Sequence, residues 1–199
     1  GFTKLRYAIY DGEDGRGYVI FRTKEASPGT VRFDEMYVTS VAARRALLEF
    51  GLGFDLCRDL ILWGRPADDP IRWMLTDPYS MKSENHDYVW YRLVDLKAAL
   101  EARRYEMDGT IVIAVIDDQL DQNSGTWRIA VDDGVATVEP SNAAPDLTLP
   151  IAVLAALYMG GRRLASIVEP SVVGGDPDSV ALLDRLFRTT VVPWTSEEF

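Results

Sequence analysis

The sequence predicts an α+β chain: two successive units, each of strands followed by helices. Three observations carry this reading. Residues 4–38 alternate apolar and polar side chains at period two, and after Ser40 that period gives way to helical spacing. Residues 109–117 (GTIVIAVID) form a near-continuous apolar run, the mark of a central strand. Charge is unevenly split. Residues 1–90 hold 12 basic and 14 acidic residues, whereas 91–199 hold 9 and 17, which places a boundary near residue 90.

The elements follow in order. Leu5, Tyr7 and Ile9 alternate with polar neighbours, residues 11–15 are a turn cluster, and 17–23 are β-branched and aromatic. A second loop covers 24–29. Val31, Phe33 and 36–38 make the third strand. Ser40 is a helix N-cap, and Leu47, Phe50 and Phe54 recur at helical spacing, with Gly51 and Gly53 weakening the last turn. A short strand covers 60–63. Asp69-Pro70 opens a short helix over 71–75, and 77–87 is a polar loop. Residues 88–94, rich in aromatics, read as a strand. Asp95 caps a helix to about Arg104. After the 109–117 strand comes a hairpin loop at 119–125. Trp127, Ile129 and Val131 alternate up to the turn signal Asp133-Gly134, and Val135, Thr137 and Val138 continue the antiparallel run. Leu147 and Leu149 form a last short strand. Pro150 opens a helix that Gly160-Gly161 ends. One or two helical turns cover 164–168. Asp176-Pro177 opens a final helix with Val180, Leu183 and Phe187 on one face.

Bulk properties narrow the function. A hydrophobic content of 47% and a charged content of 26% are those of a globular protein. The formal charge of −10, with no stretch that concentrates Lys and Arg, argues against a nucleic-acid binder and is compatible with a cationic partner. Cys57 is alone, which excludes an intrachain disulfide and a thiolate metal cluster, and reads as a small core hydrophobe. No apolar run approaches a membrane span and no signal peptide is visible, so the reading is a cytoplasmic protein without a membrane span. The first residue is Gly, as in a processed or truncated piece of a longer chain.

No complete active site can be assembled from the residues. His86, the only histidine, sits in a polar loop and reads as a solvated imidazole. Asp117, Asp118, Asp121 and Asn123 lack the EF-hand spacing and read as a solvated hairpin tip. The junction at 38–48 has the strand-to-helix form that binds pyrophosphate in many folds, but contains no glycine, so the anion cradle is missing. The tail, 191–199 (VVPWTSEEF), is different. It ends on an aromatic residue, five residues after Trp194, with two carboxylates just before the end. Either Trp194 and Phe199 merely pin the tail, or they pull the terminal α-carboxylate into a pocket.

The ordered set GYVIFRTK (17–24), VRFDEMYV (31–38), AARRALLEF (42–50), DDPIRWMLTDP (68–78), VWYRLVDLKAALEARRY (89–105), NSGTWRI (123–129), PDLTLPIAVLAALYMGG (145–161) and FRTTVVPWTSEEF (187–199) resembles the Eis-type (enhanced intracellular survival) proteins of the GNAT acetyltransferase superfamily. The resemblance spans nearly the whole chain. It implies residues 1–88 as part of a second GNAT-like domain without a CoA loop, its mixed sheet flanked by helices, and 89–199 as a sterol-carrier-protein-like domain with helices packed on one face of its sheet. It implies an acetyl-CoA-dependent N-acetyltransferase acting on amines such as aminoglycosides or lysine side chains. Acetyl-CoA would bind an N-terminal GNAT domain outside this chain, and the chain alone would be inactive. The family's Gln/Arg-x-x-Gly-x-Gly/Ala motif is absent at 38–48, in keeping with the missing cradle. The resemblance makes the Phe199 carboxylate the general base and places Glu198 near the cationic acceptor. In this chain Trp194 is expected still to anchor the tail, and the stretch from Ser196 to be loosely held. The acid, a Tyr of the N-terminal domain, is none of the tyrosines here. It also implies a homo-oligomer, a hexamer in the family. Two other readings stand beside this one. One is a carrier of apolar ligands with a tunnel lined by Leu154, Leu157, Leu183 and Phe187. The other is an assembly domain using Tyr88, Trp90 and Tyr91.

Overall fold

The computed structural model describes residues 1–86, 89–167, 169 and 173–196. The chain divides into two compact units, Gly1–Tyr88 with the tail from Trp194, and Val89–Pro193.

In the first unit, strands β1 (Arg6–Gly12), β2 (Gly15–Lys24) and β3 (Gly29–Val38) form an antiparallel meander. Helix α1 (Val41–Leu52) then carries the chain to β4 (Cys57–Leu62), which pairs parallel to β3, giving a mixed sheet in the order β1-β2-β3-β4. The period-two pattern puts Val19, Phe21, Val31 and Phe33 on one face, where Leu47 and Leu48 of α1 cover them. Ser40 starts the helix as expected, its hydroxyl accepting from the Ala43 amide at 3.0 Å. Tyr7 and Ile9 supply the strand alternation but lie on the other face, 67% and 78% exposed. Cys57 is half-buried against the core rather than fully inside it. Short helix α2 (Ile71–Met74) follows Asp69-Pro70, and a 3-10 turn over Pro78–Ser80 occupies part of the expected polar loop.

Gly51 in α1 has a packing reason. A Cβ there would sit 2.6 Å from Cζ of Phe33, a ring held 1% exposed, and 3.1 Å from Leu60 Cδ1. Gly51→Ala gains at most about 1 kcal/mol of helix propensity. It forces an overpacked core at a cost of about 1–3 kcal/mol. Chemical denaturation will therefore show a net loss of stability, and an increase would refute the packing account.

The second unit opens with α3 (Leu96–Ala102), where Asp95 accepts from the Ala98 amide at 2.9 Å. Strands β5 (Gly109–Ile116), β6 (Gly125–Asp132) and β7 (Val135–Pro140) are antiparallel. Asp133 and Gly134 turn β6 into β7 with φ of 49° and 71°, the left-handed pair that a two-residue hairpin requires. Strand β8 (Leu147–Pro150) pairs parallel to β5, so the order is β7-β6-β5-β8 and the apolar β5 is central. Helix α4 (Ile151–Tyr158) runs directly on from Pro150 and stops before Gly160, which has φ of 85°. The turn over Leu164–Ser166 is 3-10. Helix α5 (Pro177–Phe187) starts under Asp176, whose carboxylate accepts from the Asp178 and Ser179 amides.

One expected strand is absent. Residues 89–95 are irregular, and Tyr88 lies outside the described residues. The aromatics that suggested a strand do not enter a ladder: Trp90 is 86% exposed, and the Tyr91 hydroxyl donates to the Ala155 carbonyl at 3.0 Å. A side chain satisfies the backbone instead. The Asn123 amide donates to the Leu93 and Val94 carbonyls, and its carbonyl accepts from the Leu96 amide at 2.9 Å.

Candidate functional site

The tail reaches its place through residues just beyond β4. The Trp63 amide donates to the Phe33 carbonyl at 2.9 Å and extends the β4 line by one residue. Gly64 then turns the chain with φ of 56°, a conformation that L side chains rarely adopt. Arg65 follows, and its guanidinium is fixed in its own plane. Nε and Nη2 donate to Asp69 Oδ2 at 2.8 and 2.6 Å, and Nη1 donates to the Met36 carbonyl at 2.7 Å. Asp69 is itself saturated: Oδ1 accepts from Arg44 Nη1 at 2.8 Å and from the Ile71 amide at 3.0 Å, and its side chain is only 5% exposed. The face of the Arg65 guanidinium is left over, and the Trp194 ring takes it at 5.7 Å. Ser196 passes so close to Gly64 that a Cβ on the glycine would lie 3.2 Å from the serine Cβ. Trp194 thus anchors the tail through this contact while staying 47% exposed, and Ser196 is seated against Gly64. Glu198 and Phe199, the two residues expected to act, lie outside the described residues.

Gly64, Arg65 and Arg44 were missed in the sequence, and Asp69 was seen only as a helix start. The Arg65/Asp69 spacing of four residues and the glycine directly after a strand were the available signals.

At the start of α1 the local polar groups are engaged with one another. Ser40 occupies the helix N-terminus with its own hydroxyl. Thr39 Oγ1 accepts from the Arg16 amide at 2.9 Å. A Cβ on Gly15 would lie 2.2 Å from Ser40 Oγ, so the strand backbone is already packed against the cap.

The other candidates resolve individually. His86 is half-exposed beside the Trp63 ring at 5.8 Å, with Glu84 Oε2 at 3.8 Å. The expected solvated tip at Asp117 is a buried hub instead. Asp117 is 3% and Asn123 1% exposed. The carboxylate accepts from the Asn123 amide at 2.9 Å, from the Gln119 and Leu120 amides at 3.1 Å each, and from Arg92. Burial pushes the Asp117 carboxyl up, but these four hydrogen bonds together outweigh it and hold the group well below the usual carboxylate range. Among the described residues no cluster could hold a metal ion. Leu154, Leu157, Leu183 and Phe187 are all members of one packed core cluster. Among the described residues no helix is long and apolar enough to cross a membrane.

Comparison with known proteins places these features. Residues 2–94 match an acetyltransferase (GNAT) domain, and residues 96–196 match a sterol carrier protein domain. The two mixed sheets are therefore a GNAT-like sheet followed by a sterol-carrier-like one. An uncharacterised N-acetyltransferase of Streptomyces coelicolor is 34% identical over 195 residues, covering 94% of this chain and 47% of that protein. N-acetyltransferase Eis of Mycobacterium tuberculosis is 26% identical over 185 residues, covering 92% and 45%. The crystal structure of Eis1 from Mycobacterium abscessus superposes with a TM-score of 0.80 at 29% identity, over 99% of this chain and 51% of that one. A GCN5-related N-acetyltransferase from Anabaena variabilis shares the fold, with a TM-score of 0.76 at 20% identity. The chain belongs to the Eis-like family of GNAT-fold N-acetyltransferases that carry an added sterol-carrier-type domain. It spans about half the length of the curated relatives it matches.

Proposed function

We propose that this chain is the C-terminal portion of a cytoplasmic, acetyl-CoA-dependent N-acetyltransferase that acts on cationic amines, either aminoglycosides or lysine side chains. Residues 1–88 are the later part of a second GNAT-like domain and 89–199 the sterol-carrier-like domain. An N-terminal GNAT domain of the same protein binds acetyl-CoA, and the assembled protein is a homo-oligomer. This half contributes a scaffold and the Phe199 carboxylate as general base, with Glu198 beside the acceptor.

The observation that carries the reading is the anchored tail. Trp194 sits on Arg65 and Ser196 sits against Gly64, only three residues before the terminus. A chain end fixed that near its last residue can present a carboxylate at a defined place. The chemistry needs one. An amine is an ammonium at neutral pH and has no lone pair with which to attack an acyl carbon. A carboxylate attracts the cation and takes its proton, directly or through a water, as a general base. The capped start of α1 supports the assignment of acetyl-CoA to another domain.

The first test uses the 199-residue chain. Mixed with acetyl-CoA and an aminoglycoside, it releases no thiol beyond the single equivalent that Cys57 contributes to a chromogenic disulfide reagent. Sustained turnover by the chain alone would overturn the division of labour.

A further inference from the structure

We propose that Gly64 and Arg65, held by Asp69 and Arg44, form a preformed receptor for the chain's own C-terminal segment, and that they are positioning residues for the terminus. The inference rests on the proposed role of that terminus, but its test does not pass through the chemistry.

The Arg65 fork is held in its plane by one hydrogen bond from each of its nitrogens. Three of its nitrogens are engaged, two on Asp69 and one on the Met36 carbonyl. Asp69 cannot swing either, because its second oxygen is held by Arg44 and by the Ile71 amide. The result is a planar cation fixed by residues from β3, α1 and the segment leading into α2, through contacts none of which involves the tail. Its face stays open as well, and a flat aromatic ring is the partner that such a face selects. Lysine in its place would keep the charge and lose the fork that fixes the orientation. Gly64 adds the second criterion. Its φ of 56° strains any L side chain, and a Cβ there would lie 3.2 Å from the Ser196 Cβ and 3.4 Å from its Cα, so a side chain at this position makes the tail shift by a few tenths of an ångström. Trp at one position and a small residue two places later are the features of the tail that this receptor reads. The three residues beyond Ser196 then begin from a fixed point.

Chymotrypsin tests this directly, because it cuts after aromatic residues and Trp194 is the anchor. Cleavage of a transiently opened segment tracks the population of the open form. Cleavage after Trp194, releasing the peptide 195–199, is followed by mass spectrometry in the full chain. Cleavage after the exposed Trp90 and Tyr79 serves as internal reference. Gly64→Ala and Arg65→Lys are each expected to raise cutting after Trp194 about two- to fivefold, the scale of a weakened exposed cation–π contact, with both reference sites unchanged. Unchanged cutting after Trp194 in both variants overturns the proposal. Equal acceleration at all three sites also overturns it, since the two residues would then hold the fold and not the tail. If the general-base reading fails while this pattern appears, the receptor stands and only the function of what it positions is lost.

Discussion

Deletion of Phe199 from the longer protein lowers acetyl transfer to a cationic amine by about 10²- to 10⁴-fold, the range that a positioned general base supplies. The loss falls on turnover. The Trp194–Arg65 anchor is untouched by the deletion, so the fold and the docked tail persist, and binding of the amine changes less than the rate. The truncated chain ends on the carboxylate of Glu198, one residue short, and a displaced base does not recover the rate because proton transfer requires hydrogen-bond reach. Steady-state kinetics with an aminoglycoside acceptor, together with a thermal melt to show that folding is intact, measure this. A deletion that leaves the turnover rate unaltered contradicts the assignment.

Asn123→Ala is expected to lower stability strongly. The side chain is 1% exposed and joins three parts of the second unit: the irregular segment at Leu93 and Val94, the first amide of α3, and the Asp117 carboxylate. Alanine leaves several of these buried groups without a partner, at about 1–3 kcal/mol for each unsatisfied group. A total of about 3 kcal/mol or more is expected, read as a lower midpoint in urea. The same hub sets the acid limb of stability. The Asp117 carboxyl is depressed in the folded chain and returns to the ordinary range when unfolded. The unfolded state therefore binds the proton first. The contribution is fully present above the ordinary carboxylate range and is lost as pH falls toward the depressed native value. Asp117→Asn should flatten that acid limb. A variant with the same stability and the same acid profile as the parent would remove the hub from the account.

What the sequence made legible was local. Ser40, Asp95 and Asp176 were readable as caps because a cap needs only the next three residues, and each accepts the expected amide. Asp133-Gly134 was readable as a hairpin turn because its left-handed geometry is demanded by the two strands it joins. The central place of β5 followed from its unbroken apolar run. What failed depended on partners distant in the chain. The aromatics near Trp90 look like a strand in isolation, but the carbonyls of Leu93 and Val94 are satisfied by Asn123, on the far side of β5. Asp117 looks like a polar tip until Arg92 and Asn123 are brought to it, and then burial becomes affordable. Apolar content in a strand says that it belongs to a sheet, but not which face is covered, and Tyr7 and Ile9 lie on the exposed one. Of the tail, the anchor Trp194 was legible as an aromatic near an end. Its receptor was not, because nothing local links Arg65 to a residue in the last six.

The most direct measurement of the central claim changes the terminal group alone. The longer enzyme is assembled by ligation with either a free carboxylate or a primary amide on Phe199, keeping the Phe ring, Glu198 and the anchored tail in both. Initial rates of acetyl transfer to an aminoglycoside are then compared at neutral pH. A neutral amide cannot take the ammonium proton, and the account predicts a fall of about 10²-fold or more with little change in acceptor affinity. Equal rates for the carboxylate and the amide would contradict it.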